Sequence, residues 1–312
     1  MQYLITAINA VFPAFFIILL GVFARLKNWI NQEEVQRFNR ISFNIFTPCM
    51  CFYNLYNADL GSDCNPSLLL FCGLGIFLCW CVSAAVATLV EKDLEKRGIL
   101  LMSFYLSNII LLGIPIVENI YGSAATSKTA VIISMVVPIN NTLAVLSMEL
   151  FRSKKVPPRE IIKGIVTNPL IIACALGLIV NLLHIPLPSA LRTGLSNASK
   201  MASVLMLFLI GGFFRTEFIT ENLRDISVSA VFRLLLGPFA ALCCAVLLGF
   251  RGIELLIILV TFASPSGVMI FTMANRMNGD LKLASTMIMV SSAFSCVTLT
   301  LWLTLLMRLQ LI

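Results

Sequence analysis

The sequence predicts an all-α membrane protein: ten transmembrane helices in two inverted five-helix repeats, with the fourth and ninth helices broken and crossed. Three observations carry that prediction. First, the 312 residues are 59% hydrophobic and only 12% charged, with a mean hydropathy of +0.96, far from the composition of a soluble domain. Leu, Ile, Val, Phe and Ala fill blocks of about 20 residues, the length that crosses the hydrocarbon of a bilayer. Second, residues match between the two halves at a nearly constant offset. Third, two of the apolar blocks are interrupted, and the interruptions fall at corresponding places.

The spans run over about 5–26, 35–56, 67–90, 98–121, 129–150, 160–183, 190–213, 226–249, 253–276 and 281–307. The first starts almost at Met1 and lacks the basic stretch and small-residue cleavage site of a signal peptide, so it reads as a mature helix. The second has a polar start at Arg37, Asn39, Arg40 and Asn44. The fourth is broken at Ser107-Asn108, with Gly113 and Pro115 following, and carries Glu118 near its outer end. The fifth holds Asn140 and Asn141 after Pro138. The polar loop Arg152 to Lys163 joins the fifth and sixth spans. The chain therefore divides into a first repeat (1–150), a cytoplasmic linker (151–163) and a second repeat (164–312). The seventh opens on the Gly- and Ser-rich stretch Thr193 to Ser203, which contains Lys200. The eighth contains Arg233 towards its cytoplasmic end, where a long cationic side chain is expected to snorkel to the headgroups. The ninth is broken at Ser264-Pro265-Ser266-Gly267, and the tenth carries Ser291, Ser292 and Ser295.

Sixteen of the 22 Lys and Arg residues fall in odd-numbered loops, which makes those loops cytoplasmic and puts both termini outside. The net charge of +7 is thereby read as topology and not as a nucleic-acid surface. Nine of the ten cysteines lie in spans, with Cys64 alone in a loop, and the chain has one His. No ligand spacing suggests a metal, and the cysteines read as small apolar packing residues. His184 reads as a residue of an outer loop. Short loops and no targeting segment point to a bacterial inner (plasma) membrane.

Pro13 and Gly21 correspond to Pro169 and Gly177, each 156 residues on; Asn108 lines up with Pro265 and Gly122 with Gly279, each 157 on. Leu26 to Ile30 and Leu182 to Ile185 close the corresponding helices. Five spans per half is an odd number, so the second copy inserts upside down, as in many transporters.

A helix broken at membrane depth needs something other than lipid to satisfy its freed backbone groups. Paired breaks in corresponding positions point to a secondary transporter's binding site. Each break also begins a new half-helix, whose unsatisfied N–H groups and positive dipole end suit an anion. Pro115 fits the first turn of such a helix. Pro265 can do the same, and Ser266-Gly267 lets a ligand approach the backbone. The substrate-binding candidates are Asn108, Pro115, Asn140, Asn141, Ser264, Pro265, Ser266 and Ser295. Serines within spans also commonly bond their own helix. Lys200 has two open readings, a charge in the pathway or a snorkelling side chain. Glu118 is interfacial, with a coupling role as the alternative.

These features point to a secondary carrier of a small organic anion. No P-loop appears, which argues against ATP drive. A proton or sodium gradient, or uniport down the membrane potential, is left as the drive, and no cofactor is expected. An intramembrane enzyme would need a nucleophile with a base or paired carboxylates; Asp280 and Glu254 sit at helix ends and Ser199-Lys200 is not an SxxK pair. A channel or sensor built on the same breaks is the alternative.

Pro13 to Gly21, followed by Asn44-Ile45-Phe46-Thr47-Pro48, resembles the opening of the auxin efflux carrier family, which includes plant auxin exporters and bacterial proteins often called malate permeases. Ser107 to Pro115, ending at Tyr121-Gly122, is similar to that family's fourth-helix crossover. Asn168-Pro169 to Gly177 with Ile185-Pro186-Leu187-Pro188, Arg233-Leu234 with Pro238, and Pro265 to Gly279-Asp280 with Ala284-Ser285 resemble later parts of it. The resemblance covers essentially the whole chain and suggests a bacterial malate-permease-like member. It implies a dimerising scaffold of helices 1, 2, 6 and 7 and a transport domain of helices 3–5 and 8–10 that moves as an elevator. The cargo it implies is an organic anion such as a carboxylate, bound at the crossing, and it supports Asn108, Pro115 and Pro265. Departures from the family pattern are Ser266 where a Pro is frequent, Met269 where an Asn is frequent and Val204 where a Pro is frequent. The long cytoplasmic loop of plant members is absent.

Overall fold

Apolar runs of this length leave the backbone few choices in lipid, where each N–H and C=O must find a partner inside the protein. The computed structural model describes residues 2–57, 65–122, 124–151, 159, 166–167, 169–213, 222–276 and 279–312, and every regular element among them is helical. The 151–163 linker, apart from Phe151 and Arg159, lies outside the described residues, as do Cys64 and the first six residues of the expected sixth span.

Helix α1 (Gln2–Leu26) is followed by α2 (Gln32–Ile41), which a capping box starts: the Glu34 N–H donates to Asn31 Oδ1 at 2.9 Å and the Asn31 N–H to Glu34 Oε2 at 2.7 Å. A π-helical turn, Ser42–Phe46, carries α2 without interruption into α3 (Thr47–Tyr56). Then come α4 (Pro66–Val90), α5 (Leu94–Tyr105), a π turn over Ile109–Gly113, α6 (Ile114–Tyr121) and α7 (Ala124–Leu150). The second half has α8 (Pro169–Leu182), α9 (Ser189–Gly212), and α10 (Leu223–Val231) joined through the π turn Phe232–Leu236 to α11 (Gly237–Leu247). It ends with α12 (Gly252–Ala263), α13 (Met269–Arg276) and α14 (Leu281–Arg308).

Among the described residues, five segments are long and apolar enough to cross a membrane: Pro66–Val90, Val131–Met148, Ser189–Gly212, Leu223–Leu247 and Leu281–Arg308. Phe15–Leu26, Pro169–Leu182 and Gly252–Ala263 are apolar but shorter. The chain is thus an all-helical, multi-pass membrane protein.

The packing follows from where small residues sit. Helix α1 lies against α9, and α3 against both α8 and α9. At the first contact a Cβ on Gly21 would overlap the Phe208 carbonyl oxygen, and one on Gly211 the Ile18 carbonyl oxygen. At the α3–α8 contact a Cβ on Gly177 would come within 2.8 Å of the Phe52 carbonyl oxygen. Helices α5 and α12 occupy the centre. Every residue from Gly98 to Tyr105 and from Leu255 to Ala263 is buried, which is why neither helix shows a polar face.

Helices α1 and α8 end alike. Asn28 (φ 56°) and His184 (φ 50°) adopt the left-handed conformation that closes a helix. In each case the next N–H reaches back five residues, Trp29 to the Ala24 carbonyl at 2.9 Å and Ile185 to the Val180 carbonyl at 3.1 Å.

Candidate functional site: two breaks that meet

Helix α5 stops at Tyr105 and α12 at Ala263, and the next residues turn extended, with ψ of 104° at Leu106 and 146° at Ser264. The two extended pieces then pair. Ser107 and Ser266 form an antiparallel bridge. The Asn108 N–H donates to the Pro265 carbonyl at 3.0 Å, and the Gly267 N–H to the Leu106 carbonyl at 2.9 Å. Each break therefore supplies partners for the backbone groups that the other has freed. Ser266 is tied further: its N–H donates to Ser291 Oγ and its hydroxyl to the Ser103 carbonyl, both at 3.1 Å. Past the bridge the chain re-enters helix, at Ile109 on one side and Met269 on the other.

Beside the bridge is a cavity of about 80 Å³. Ser107, Asn108, Gly267, Val268 and Met269 line it from the breaks, Asn140 and Asn141 from α7, and Thr47, Met50, Leu170 and Met206 from α3, α8 and α9. Its walls are mainly apolar, but five buried polar atoms on the residues that line it have no hydrogen-bond partner among the described residues: Thr47 Oγ1, Ser107 Oγ, Asn108 Nδ2, Asn140 Oδ1 and Asn141 Nδ2. Buried polar groups are ordinarily paired, so such a cluster calls for a reason. A larger groove of about 820 Å³ lies away from the breaks, between α4 and α11; its lining is almost wholly apolar.

The structure brings Asn108, Asn140 and Asn141 to this cavity. Pro265 contributes its carbonyl to the bridge and Ser266 anchors it. Pro115 is half-buried where the π turn Ile109–Gly113 passes into α6, and it is not on the cavity wall. The Ser264 hydroxyl bonds the Val260 carbonyl in its own helix, and Ser295 likewise bonds the Ser292 carbonyl at 2.7 Å. Lys200 on α9 and Glu118 on α6 are both exposed and clear of the cavity.

Arg233 overturns an expectation. It does not snorkel: the residue is 2% exposed. Its Nε donates to the Ser264 carbonyl at 2.8 Å, its Nη1 to the Tyr105 carbonyl at 2.9 Å and the Phe104 carbonyl at 3.4 Å, and its Nη2 to the Thr261 carbonyl at 3.5 Å. The guanidinium thus caps the C-terminal ends of α5 and α12 together. The signal for it was present, since two helices ending inside a membrane leave several carbonyls without donors, and Arg carries five donors in a fixed fork. Thr47, which also lines the cavity, was not among the sequence candidates.

A family model described as "Membrane transport protein" matches this chain over residues 6–160 and 158–303. An uncharacterized transporter of Methanothermobacter thermautotrophicus is 26% identical over 295 residues, which is 92% of this chain and 94% of that protein. An uncharacterized transporter of Methanocaldococcus jannaschii is 22% identical over 297 residues, with 92% and 94% covered. Both relatives are archaeal, and neither name specifies a substrate.

Proposed function

The chain belongs to the membrane transport protein family, the auxin efflux carriers of the sequence resemblance, and from that membership we propose that it is a secondary carrier for a small organic anion, a carboxylate, bound where its fourth and ninth spans cross. The observation that carries this reading is the set of unpartnered amide atoms on Asn108, Asn140 and Asn141 around one cavity, with the starts of both second half-helices beside it. Two amide N–H donors match two carboxylate oxygens. The helix starts add positive potential without a mobile counter-charge. Met50, Leu170, Met206, Val268 and Met269 leave the rest of the wall suited to an apolar body.

In this reading the chain has ten spans in two inverted repeats, odd loops cytoplasmic and both termini outside, in a prokaryotic plasma membrane. The shared close of α1 and α8, 156 residues apart between Asn28 and His184, supports the repeat. The packing of α1 on α9, and of α3 on α8 and α9, is what a scaffold of these helices needs; α1 also lies against α6 and α14, which would be the surface along which the break-bearing helices move. A second copy pairs through that scaffold. A cavity of about 80 Å³ is smaller than the roughly 300–1,000 Å³ of a site that admits a whole ligand. Loading then needs the cavity to open, and the elevator that the family likeness implies, a slide of the break-bearing helices against the scaffold, would open it. A proton or sodium gradient, or the membrane potential alone, drives the cycle; neither Lys200 nor Glu118, the charged candidates of the sequence, lines the cavity in this state.

The test is counterflow. Purified protein in proteoliposomes loaded with mono- or dicarboxylates is expected to give saturable, stereoselective exchange of a labelled carboxylate. Asn108→Ala is expected to abolish exchange with expression and dimerisation intact. Wild-type exchange in that variant would place the site elsewhere, and conductance without counterflow would favour a channel.

A further inference from the structure

We propose that Arg233 is a positioning and specificity residue: a fixed cation that locks the two broken ends into one unit and leaves the neighbouring cavity selective for anions. The proposal rests on the reading of the crossing as the transport site. It concerns a residue outside the cavity wall, acting through the helix ends that it holds.

The geometry starts from the π turn Phe232–Leu236. The extra residue in such a turn re-aims side chains relative to an unbroken α-helix, and here Arg233 and Leu234 point inward and are buried. Phe232 packs its ring 4.8 Å from that of Phe104, and the Leu234 carbonyl accepts from Trp302 Nε1 at 3.0 Å, so the turn is fixed on both sides. The guanidinium then spans the gap between α5 and α12. Every acceptor it reaches is a backbone carbonyl; no carboxylate is bonded to it among the described residues.

Where two broken helices cross, four helix ends converge: two C-termini with partial negative charge and two N-termini with partial positive charge. Left alone, the negative ends would offset the positive ends, and the crossing would hold little net potential for an anion. Arg233 sits on the negative ends. Its acceptors are the ends of α5 and α12, and the cavity wall, which does not include Arg233, begins just past them in the chain, at Leu106 and Gly267. One full positive charge against two half-charges silences the C-termini, and the N-terminal ends at the cavity are left unopposed. The same four bonds tie the α5 and α12 ends to α10–α11, so that the halves of the site cannot separate when the unit moves.

A reporter thiol tests this without knowing the cargo. Met269, half-buried on the cavity wall, is replaced by Cys in a background without native cysteines. Its reaction rates with an anionic sulfonatoethyl and a cationic trimethylammonioethyl methanethiosulfonate are measured as a ratio, scaled to a free thiol. With Arg233 present the ratio is expected to favour the anionic reagent. Arg233→Met is expected to lower it by roughly tenfold or more, the scale of a unit charge in a partly screened interior. Arg233→Lys is expected to keep the ratio within about threefold while carboxylate counterflow falls, because a compact ammonium cannot reproduce the planar fork. A ratio unchanged in Arg233→Met overturns the proposal. Should that variant fail to fold, a collapsed ratio in Arg233→Lys, which keeps the charge, overturns it equally. A thiol at Met269→Cys that neither reagent reaches from either side refutes instead the reading of the crossing as a pathway, and the proposal falls with it.

Discussion

An amide buried without a partner costs about 1–3 kcal/mol of desolvation, and this chain carries that cost at Asn108, Asn140 and Asn141 around one cavity. A residue kept only for stability would be apolar there. Asn141→Leu, of similar shape, relieves the unpaired Nδ2 and forfeits at most about one ordinary hydrogen bond. Its unfolding temperature in detergent is expected at or above that of the wild type while carboxylate counterflow is lost. A drop in stability together with unchanged flux would mean that the amide serves the fold. Lys200 differs, since its side chain is exposed on α9. Lys200→Gln is expected to leave the pH profile of flux unchanged, and a shifted profile would return Lys200 to the pathway. Asn108 was legible in the sequence because an amide mid-span is costly wherever it sits. Arg233 was misread because position along a span gives depth and not facing direction. Its facing is set by carbonyls contributed by α5 and α12, which are remote from it in sequence.

At the scale of elements, the two breaks could be found from Ser, Pro and Gly alone, because those residues interrupt a helix by known mechanics. The π turns could not: nothing in Ser42–Phe46 or Phe232–Leu236 marks an extra residue per turn, and the second of them aims Arg233. The sequence matches Gly21 to Gly177, and the structure gives those glycines one job. Each lets a helix approach a carbonyl of its neighbour, α1 on α9 at Phe208 and α8 on α3 at Phe52. Backbone atoms cannot move aside as a side-chain tip can. Gly21→Val and Gly177→Val are therefore both expected to destabilise the protein, by about 1–3 kcal/mol each for overpacking. Thermal unfolding in one detergent reads the pair. A neutral Gly21→Val would mean that α1 and α9 are not held at this separation.

At the scale of the whole molecule, the cavity wall has two owners. Thr47, Met50, Leu170 and Met206 come from α3, α8 and α9, while Asn108 and Gly267 to Met269 come from the breaks. If the second group slides past the first, residues that share the wall here must part in another state of the cycle. That motion is implied by the family likeness alone, because apolar spans look the same whether they are fixed or moving. A short bifunctional thiol reagent makes it measurable. With Thr47→Cys and Val268→Cys in a background without native cysteines, the reagent bridges the two groups of wall residues. Cross-linking is expected to stop counterflow, and each single-cysteine variant treated alike is expected to retain it. A reducible linker should restore flux when cleaved, which distinguishes arrest from damage. Bridged protein that exchanges carboxylate at the unbridged rate would show that the wall stays whole throughout transport. The site would then be a fixed one, reached by movements smaller than an elevator's.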